Sequence, residues 1–392
     1  MNKKLSMAVA GAVMAFGASA ANAGITIPAG DWTIDIGGNV NAYYTHTTGD
    51  VANTKNVVQT GLLPSALGIG GKTRQNDLDI AFQFTFFTGG DSGPAGSSAI
   101  GGFNGGAAAS NGAAGANTLN IRQAFLTFGD KSWGTIKAGR DLGIFGSDAI
   151  LSDMTLLGVG VGAGGGGSST LGRIGSGYVY ADWVGQISYW SPNWNGFSFG
   201  VGVREPWTNS LAGTGDDSRN NMGFEGKATY EWAGDVSGKV WTSFITQKHD
   251  AGIATTSYTS TGYDIGGKLA VSSFGLVGYY YDGRGLDLQT GGQLGGLAFL
   301  GGTKSDDKGG YVQGTFTIPG VGTKLGASYG LSKSDPKGAV GEIKNKSWIV
   351  GAYHPLTKSL NLVAEYTAQK VELPGAADLD FKTTSLGAIL FF

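Results

Sequence analysis

Two glycine-rich segments are the part of this sequence that comes closest to a nucleotide-binding motif. The segment ALGIGGKT, residues 66–73, differs from a phosphate-binding P-loop by one residue, because Ala66 stands where the first glycine belongs. A P-loop needs a following helix to present its amide groups to phosphate, but a turn and the strand-like segment LDIAFQFTFF follow here. The segment GAGGGG, residues 162–167, matches a dinucleotide-binding pattern only through its glycine content. We therefore expect no cofactor.

The histidines and serines give equally little sign of catalysis. His46, His249 and His354 lie at the ends of predicted strands in unrelated segments, and none has a second ligand at metal-binding spacing. No sequence context singles out a serine as a nucleophile, although a triad assembled only in three dimensions stays open. The sequence thus predicts no metal site, no catalytic residues and no enzyme.

The N-terminus and the composition indicate an exported protein. A basic MNKK, the apolar segment LSMAVAGAVMAFG and an ANA cleavage site predict a cleaved signal peptide over residues 1–23. Removal of Lys3 and Lys4 leaves 25 of the 27 basic residues against 29 acidic ones, a net charge near −4 that argues against a nucleic-acid partner. The absence of cysteine excludes a disulfide scaffold.

Alternation with period two dominates the remainder of the chain. In TKLGASYGLS, residues 323–332, apolar side chains at odd positions alternate with small and polar ones at even positions, which is typical of a strand with two different faces. Seven short turns alternate strictly with eight longer polar or glycine-rich segments. The turns are predicted at 74–77, 130–133, 191–196, 233–236, 272–275, 318–322 and 355–358, and the longer segments at 48–58, 90–117, 142–177, 205–219, 250–257, 285–307, 334–343 and 371–378.

This alternation of short turns and long segments predicts the fold. Counting strands between the connections gives sixteen, and outer-membrane barrels place short turns at one end and long loops at the other. We predict an all-β fold, a transmembrane antiparallel up-and-down β-barrel of about sixteen strands that forms a single domain over residues 24–392. A barrel of this size is wide enough to leave an aqueous channel.

Two segments connect this pattern to a known family. IRQAFLTFGDKSWGTIKAGRD, residues 121–141, resembles the fourth and fifth strands of the Gram-negative general porins, particularly the trimeric sixteen-stranded branch. ISYWSPNWNGFSFGVGV, residues 187–203, resembles the sixth and seventh strands of that branch and their Ser-Pro turn. In the family the third long loop folds into the barrel and narrows it, and its carboxylates face arginines on the wall. The resemblance implies that segment 142–177 is this constriction loop.

The same resemblance supplies the candidate pore residues. Alternation predicts that Arg122 and Arg140 face the lumen, with Gln123, Phe125, Lys137 and Gly139 on the opposite face. Two positions depart from the family pattern. Asp182 stands where the family has an arginine at the start of the sixth strand, and Ala66 stands near the arginine position of the second strand. Arg74 lies on the same second strand, but lower in the barrel, beside the turn. Arg173 is the candidate replacement. The wall is thus less cationic than in the family, which leaves ion selectivity open with a lean toward cations. The predicted constriction residues are Arg74, Arg122, Arg140, Asp141, Asp148, Asp153, Arg173 and Asp182.

The predicted function is passive diffusion of small hydrophilic solutes and ions across the outer membrane of a Gram-negative bacterium. A substrate-specific channel stays open, since GYYYDG, residues 278–283, offers aromatic side chains for a solute path. An outer-membrane adhesin or enzyme on a barrel scaffold is the alternative from another class. By resemblance the protein is expected to form a homotrimer, and it is expected to contact outer-membrane lipid and lipopolysaccharide.

The segment LDFKTTSLGAILFF, residues 379–392, is predicted to be the closing strand, paired with the first. Leu386, Ala388, Leu390 and Phe392 are expected to face lipid, whereas Ile389 and Phe391 break the alternation near the periplasmic end. By resemblance, Phe392 is also expected to be the assembly signal that the barrel-assembly machinery reads.

Overall fold

The computed structural model describes residues 24–50, 56–89, 119–162, 169–206, 221–250, 257–286, 304–336 and 341–392. The predicted signal peptide and the whole of the predicted loop 90–117 lie outside these residues. Within them, eighteen strands form one antiparallel sheet. The strands are β1 Ile25–Ala29, β2 Trp32–Gly49, β3 Asn56–Gln59, β4 Ser65–Gln75, β5 Leu78–Thr88, β6 Asn120–Asp130, β7 Gly134–Leu142, β8 Trp183–Trp190, β9 Phe197–Arg204, β10 Gly223–Trp232, β11 Val236–His249, β12 Tyr258–Val271, β13 Phe274–Arg284, β14 Ser305–Thr317, β15 Lys324–Pro336, β16 Ile343–Pro355, β17 Leu360–Glu372 and β18 Leu379–Phe391.

The barrel has sixteen strands, as predicted, when β3 and β4 are counted as one and the additional strand β1 is left out. Strands β3 and β4 both pair with β2 and form one interrupted wall strand. Strand β18 pairs with β2 from Phe381↔Gly49 to Phe391↔Asn39, so that the last strand closes on the first and neither leaves an unpaired edge there. Strand β1 is an addition, because it forms a hairpin with the start of β2.

The connections alternate in length around the barrel. At one end β4 joins β5 through only two residues, Asn76 and Asp77, which both have positive φ, as a two-residue hairpin turn of type I′ requires. At the other end the segments are longer, and we assign that end to the extracellular side on the ordinary topology of outer-membrane barrels. No helix in the described ranges is long and apolar enough to cross a membrane.

The alternation of side chains also follows the prediction. On β2, Asn41 and Thr45 are buried, whereas Val40 and Tyr44 are exposed. On β18, Leu386, Leu390 and Phe392 are exposed on the outward face. Ile389 and Phe391 are buried at the periplasmic end, where they join the apolar cluster inside the barrel. The outward face therefore supplies the apolar surface that lipid requires.

The apolar core lies within the barrel, around the segment between β7 and β8. This segment, residues 143–182, is called the inner loop below. It is the third long connection, as predicted, and extends to residue 182 where the prediction ended at 177. It contains helix α1, Ser147–Ser152, and a 3-10 helix, Met154–Leu157. Buried side chains of the loop, among them Phe145 and Met154, pack with inward side chains of the wall, among them Tyr43 and Tyr311.

Candidate functional site: the inner loop and the barrel wall

Carboxylates on the wall hold the backbone of the inner loop. Glu365 on β17 accepts hydrogen bonds from the backbone N–H groups of Val159 (2.9 Å) and Gly160 (2.8 Å), and from the Tyr353 hydroxyl (2.6 Å). A buried N–H group without an acceptor is costly, and an irregular loop cannot satisfy all its donors internally. Glu365 therefore supplies the hydrogen-bond acceptors that the carbonyl groups of a neighbouring strand would supply in a sheet.

Glu225 on β10 holds the beginning of the loop in the same way. Its carboxylate accepts from the backbone N–H groups of Ile144 and Phe145, and it also pairs with Arg204 on β9. Both members of the pair are buried, with side chains 2% exposed. The ion pair compensates the charge of Glu225, which leaves its second oxygen available to the loop.

Neutral side chains on β2 and β14 also attach the inner loop to the barrel wall. The hydroxyl groups of Tyr43 on β2 and Tyr311 on β14 donate to the carbonyl oxygens of Leu157 (2.7 Å) and Ala149 (2.8 Å). Gln313 on β14 accepts from the Met154 amide at 2.7 Å. Strands on both sides of the barrel thus bind one loop, which shows that the loop crosses the lumen.

Asp148, in the first turn of α1, is the loop carboxylate that faces cations on the wall. Its oxygens lie 2.8 Å from Nζ of Lys227 on β10 and 2.6 Å from Nζ of Lys239 on β11. Burial would raise the pKa of the Asp148 carboxyl, but the two ammonium groups outweigh burial and lower the pKa well below its usual value. Asp148 therefore stays ionised, and its partners are lysines on strands that the sequence reasoning did not include.

Asp153 and Arg173 lie inside the loop and do not face open lumen. The Asp153 carboxylate accepts from the Thr155 amide at 2.9 Å and from the Tyr178 hydroxyl at 2.8 Å. Arg173 is fully buried and donates through Nη1 to the Ser347 hydroxyl of β16 at 3.0 Å. Burial lowers the pKa of its guanidinium, against the opposing effect of Asp153. Both residues stabilise the docked loop.

Arg122 faces inward, but by a different route from the one predicted. The pairing of β5 with β6 shifts register between Thr85 and Phe86, which leaves Arg122 as the extra residue of a β-bulge. Its guanidinium lies 5.0 Å from the centre of the Phe87 ring. Gln123 and Phe125 are also buried on the lumen side, so the prediction that they face outward is wrong. Strict alternation fails here because the bulge adds one residue to β6.

Strand β7 has the parity opposite to the one predicted. Lys137 faces the lumen, pairs with Asp141, and lies 4.9 Å from the centre of the Phe125 ring. Asp141 also accepts from the Gln123 side chain at 2.8 Å. Arg140 is in register with the outward side chains of β7, because its neighbour Ala138 stands opposite the exposed Leu126, but its charge acts on Tyr180 and Asp182 of the inner loop. Lys137, which was predicted to face away from the lumen, is therefore an inward cation of this strand.

Asp182 and Arg74 occupy opposite ends of the barrel. Asp182 ends the inner loop with a positive φ of 60°, and its carboxylate accepts from the Trp183 amide at 2.7 Å. Burial raises the pKa of Asp182, although Arg204 lowers it. Arg74 lies beside the β4–β5 turn and pairs with Asp79 (2.8 Å) and Asp130 (3.1 Å). The described contacts place Arg74 away from the inner loop, which corrects its predicted position on the constriction wall.

Four important residues were missed from the sequence: Lys227, Lys239, Glu225 and Glu365. Each is an isolated charged residue on the inward face of a strand, and alternation alone could have marked them as lumen residues. Their partners could not have been found in this way, because the loop segments they hold carry no matching motif.

Comparison with known proteins agrees with this arrangement. The model of a family described as Gram-negative porin matches residues 8–372. The chain belongs to the Gram-negative porin family. As a porin it is a channel of the outer membrane, and its closed sixteen-strand barrel matches solved porin structures. No curated protein matches the sequence.

Solved structures resemble the porin over nearly its whole length. The outer-membrane channel DcaP of Acinetobacter baumannii is 17% identical, with a TM-score of 0.64 over 94% of this chain and 100% of the other. OmpF of Salmonella typhi, solved in complex with daunomycin, is 18% identical, with a TM-score of 0.63 over the same shares. A trimer form of OmpT of Vibrio cholerae is 13% identical, with a TM-score of 0.57 over 92% of this chain and 99% of the other. At these identities the likeness concerns the fold.

Proposed function

We propose that this porin is a passive diffusion channel for small hydrophilic solutes and ions, with the inner loop as its constriction. The observation that carries the proposal is the contact of Asp148 with Lys227 and Lys239, because it fixes the inner loop against the wall inside the barrel and places charged groups where the lumen is narrowed. Low-dielectric walls focus the field of such charges, and the field favours polar solutes over apolar ones. Flux then follows the concentration gradient without a chemical step.

Recording from single channels in a planar bilayer tests this function. The wild-type porin is expected to insert and conduct, in groups of three steps if it forms the proposed homotrimer. Among the described contacts, Asp148→Asn leaves Lys227 without a carboxylate partner and Lys239 with Glu231 alone, and it weakens the attachment of α1, so conductance and ion preference are both expected to change. Asp250→Asn is a matched control, since Asp250 pairs with Lys248 at the extracellular end of β11.

Two results would contradict the proposal. A folded protein that inserts and stays electrically silent would remove the channel function and favour an adhesin or an enzyme on the barrel scaffold. An Asp148→Asn variant with the wild-type conductance and ion preference would show that the inner loop does not govern passage.

A substrate-specific channel is the second candidate, and a cluster of aromatic side chains favours it. Tyr279 and Tyr281 of GYYYDG face inward, whereas Tyr280 is exposed on the outer face. The Tyr279 ring lies 5.9 Å from that of Tyr311, which in turn lies 5.8 Å from Tyr178 of the inner loop. Liposome-swelling rates separate the candidates: a general channel slows smoothly with solute size, whereas a specific one saturates with its own solute.

Phe392 is proposed to act in assembly with the barrel-assembly machinery, besides its contact with outer-membrane lipid and lipopolysaccharide. Its backbone N–H and C=O both bond to Gly38, and its ring is partly exposed on the outward face. Phe392→Ala is expected to lower the amount of folded barrel in the outer membrane severalfold. Leu390→Ala is the control, because Leu390 is equally outward on β18. If both variants lose the same amount of folded barrel, Phe392 has no special role in assembly and only contacts lipid.

A further inference from the structure

Four lysines line one arc of the lumen on the periplasmic side of the inner loop. Lys239 on β11 and Lys268 on β12 stand directly opposite each other, and since Lys239 contacts Asp148 of the loop, both point inward. Lys227 on β10 also binds Asp148. Lys324, the first residue of β15, shares its face with Ser332, which accepts a hydrogen bond from the inner loop.

Carboxylates compensate only part of this charge. Lys227 and Lys239 share Asp148, and Lys239 has a second partner in Glu231 at 3.1 Å. In the described part of the chain, Lys268 and Lys324 have no carboxylate within ion-pair distance. Lys268 is exposed to the lumen, and Nζ of Lys324 lies 5.0 Å from the centre of the Tyr353 ring. These two ammonium groups therefore have no described carboxylate in contact to compensate them.

Strands β4 to β7 carry three inward cations that each have an acidic partner. Lys72 pairs with Asp35 at 3.2 Å, Arg74 with Asp79 at 2.8 Å, and Lys137 with Asp141. Arg122, which also faces inward, lies 5.0 Å from the centre of the Phe87 ring. Lys268 and Lys324 therefore add positive charge to the arc of β10 to β15, which also carries the inward carboxylate of Asp264.

From these two lysines we infer that Lys268 and Lys324 form an anion-guiding strip, and that the channel prefers small anions, such as chloride and short carboxylates, to cations of similar size. The inference rests on the proposed channel function. Unpaired charges in a narrow, low-dielectric lumen raise the local concentration of counter-ions. Two separate and partly hydrated ammonium groups bind anions weakly enough to release them, which conduction requires. The lean toward cations expected from the sequence is therefore reversed.

Reversal potentials in a potassium chloride gradient test the strip. The wild-type channel is expected to be more permeable to chloride than to potassium. The double variant Lys268→Gln/Lys324→Gln is expected to lower the chloride-to-potassium permeability ratio about threefold at about 0.1 M salt, where the Debye length is about 10 Å. At about 1 M salt, where that length falls to about 3 Å, the difference between the two proteins should shrink.

Two matched variants separate charge from structure. Lys268→Arg/Lys324→Arg keeps both charges and should keep the wild-type ratio, and Lys308→Gln removes an exposed lysine from the outward face of β14 and should also leave it unchanged. A conducting wild type that prefers cations, or a double glutamine variant with the wild-type ratio, would overturn the strip and leave the channel function intact. A wild type without conductance would overturn both.

Discussion

Glu365→Gln is expected to release the middle of the inner loop and to raise the single-channel conductance. The carboxylate accepts from three donors at once, the amides of Val159 and Gly160 and the hydroxyl of Tyr353. A glutamine presents an NH₂ group to part of this set, so at least one buried donor loses its acceptor, at a cost of about 1–3 kcal/mol. Since 1.4 kcal/mol corresponds to a factor of about ten in a population, undocked states of the loop should become visible as added current noise.

The measurement is a single-channel recording of Glu365→Gln beside Glu372→Gln. Glu372 lies near the extracellular end of the same strand, where it pairs with Lys346 and touches no part of the inner loop among the described contacts. Quiet, wild-type currents from Glu365→Gln would show that the apolar packing of the loop is sufficient to hold it.

Arg204→Leu is expected to be the most destabilising single change on the wall. It leaves Glu225 buried without its counter-charge, and removal of one partner from a buried ion pair costs about 3–5 kcal/mol. The midpoint of denaturant unfolding of the refolded barrel in detergent should fall accordingly. Lys248→Leu, which breaks an exposed pair with Asp250, should change the midpoint little.

A second variant shows whether the loss comes from the charge. In Arg204→Leu/Glu225→Gln the residue at position 225 is neutral, and its carbonyl oxygen can still accept from the Ile144 amide. Part of the lost stability should therefore return. A double variant that unfolds as early as Arg204→Leu would assign the loss to packing around the guanidinium.

The barrel could be predicted because its determinants are local. Period-two alternation shows both faces of a strand within about eight residues, and the lengths of turns and loops order the strands without any tertiary information. The position of β18 beside β2 followed from the even number of strands. Strand β1 was not predicted, because its five residues, Ile25–Ala29, are too few to show a period-two alternation.

The site could be predicted only in part, because its geometry depends on distant segments. The orientation of Gln123 was lost to a single bulge, and that of Lys137 to an assumed parity that nothing in the sequence of β7 fixes. Asp148 lies on the inner loop, but its partner Lys227 lies 79 residues away in sequence. No periodicity can connect residues at such separations.

The attachment of the inner loop has a consequence for the order of folding. Val159 is 206 residues from its acceptor Glu365, and Leu157 is 114 residues from Tyr43. Contacts of such high sequence separation form late, because a long stretch of chain must be ordered before they can be made. Until β17 takes its place, the apolar side chains of Phe145, Met154 and Leu156 have no complete wall to pack against. Closing the barrel and narrowing it are therefore coupled, and an unfinished barrel of this protein is wider than the finished one.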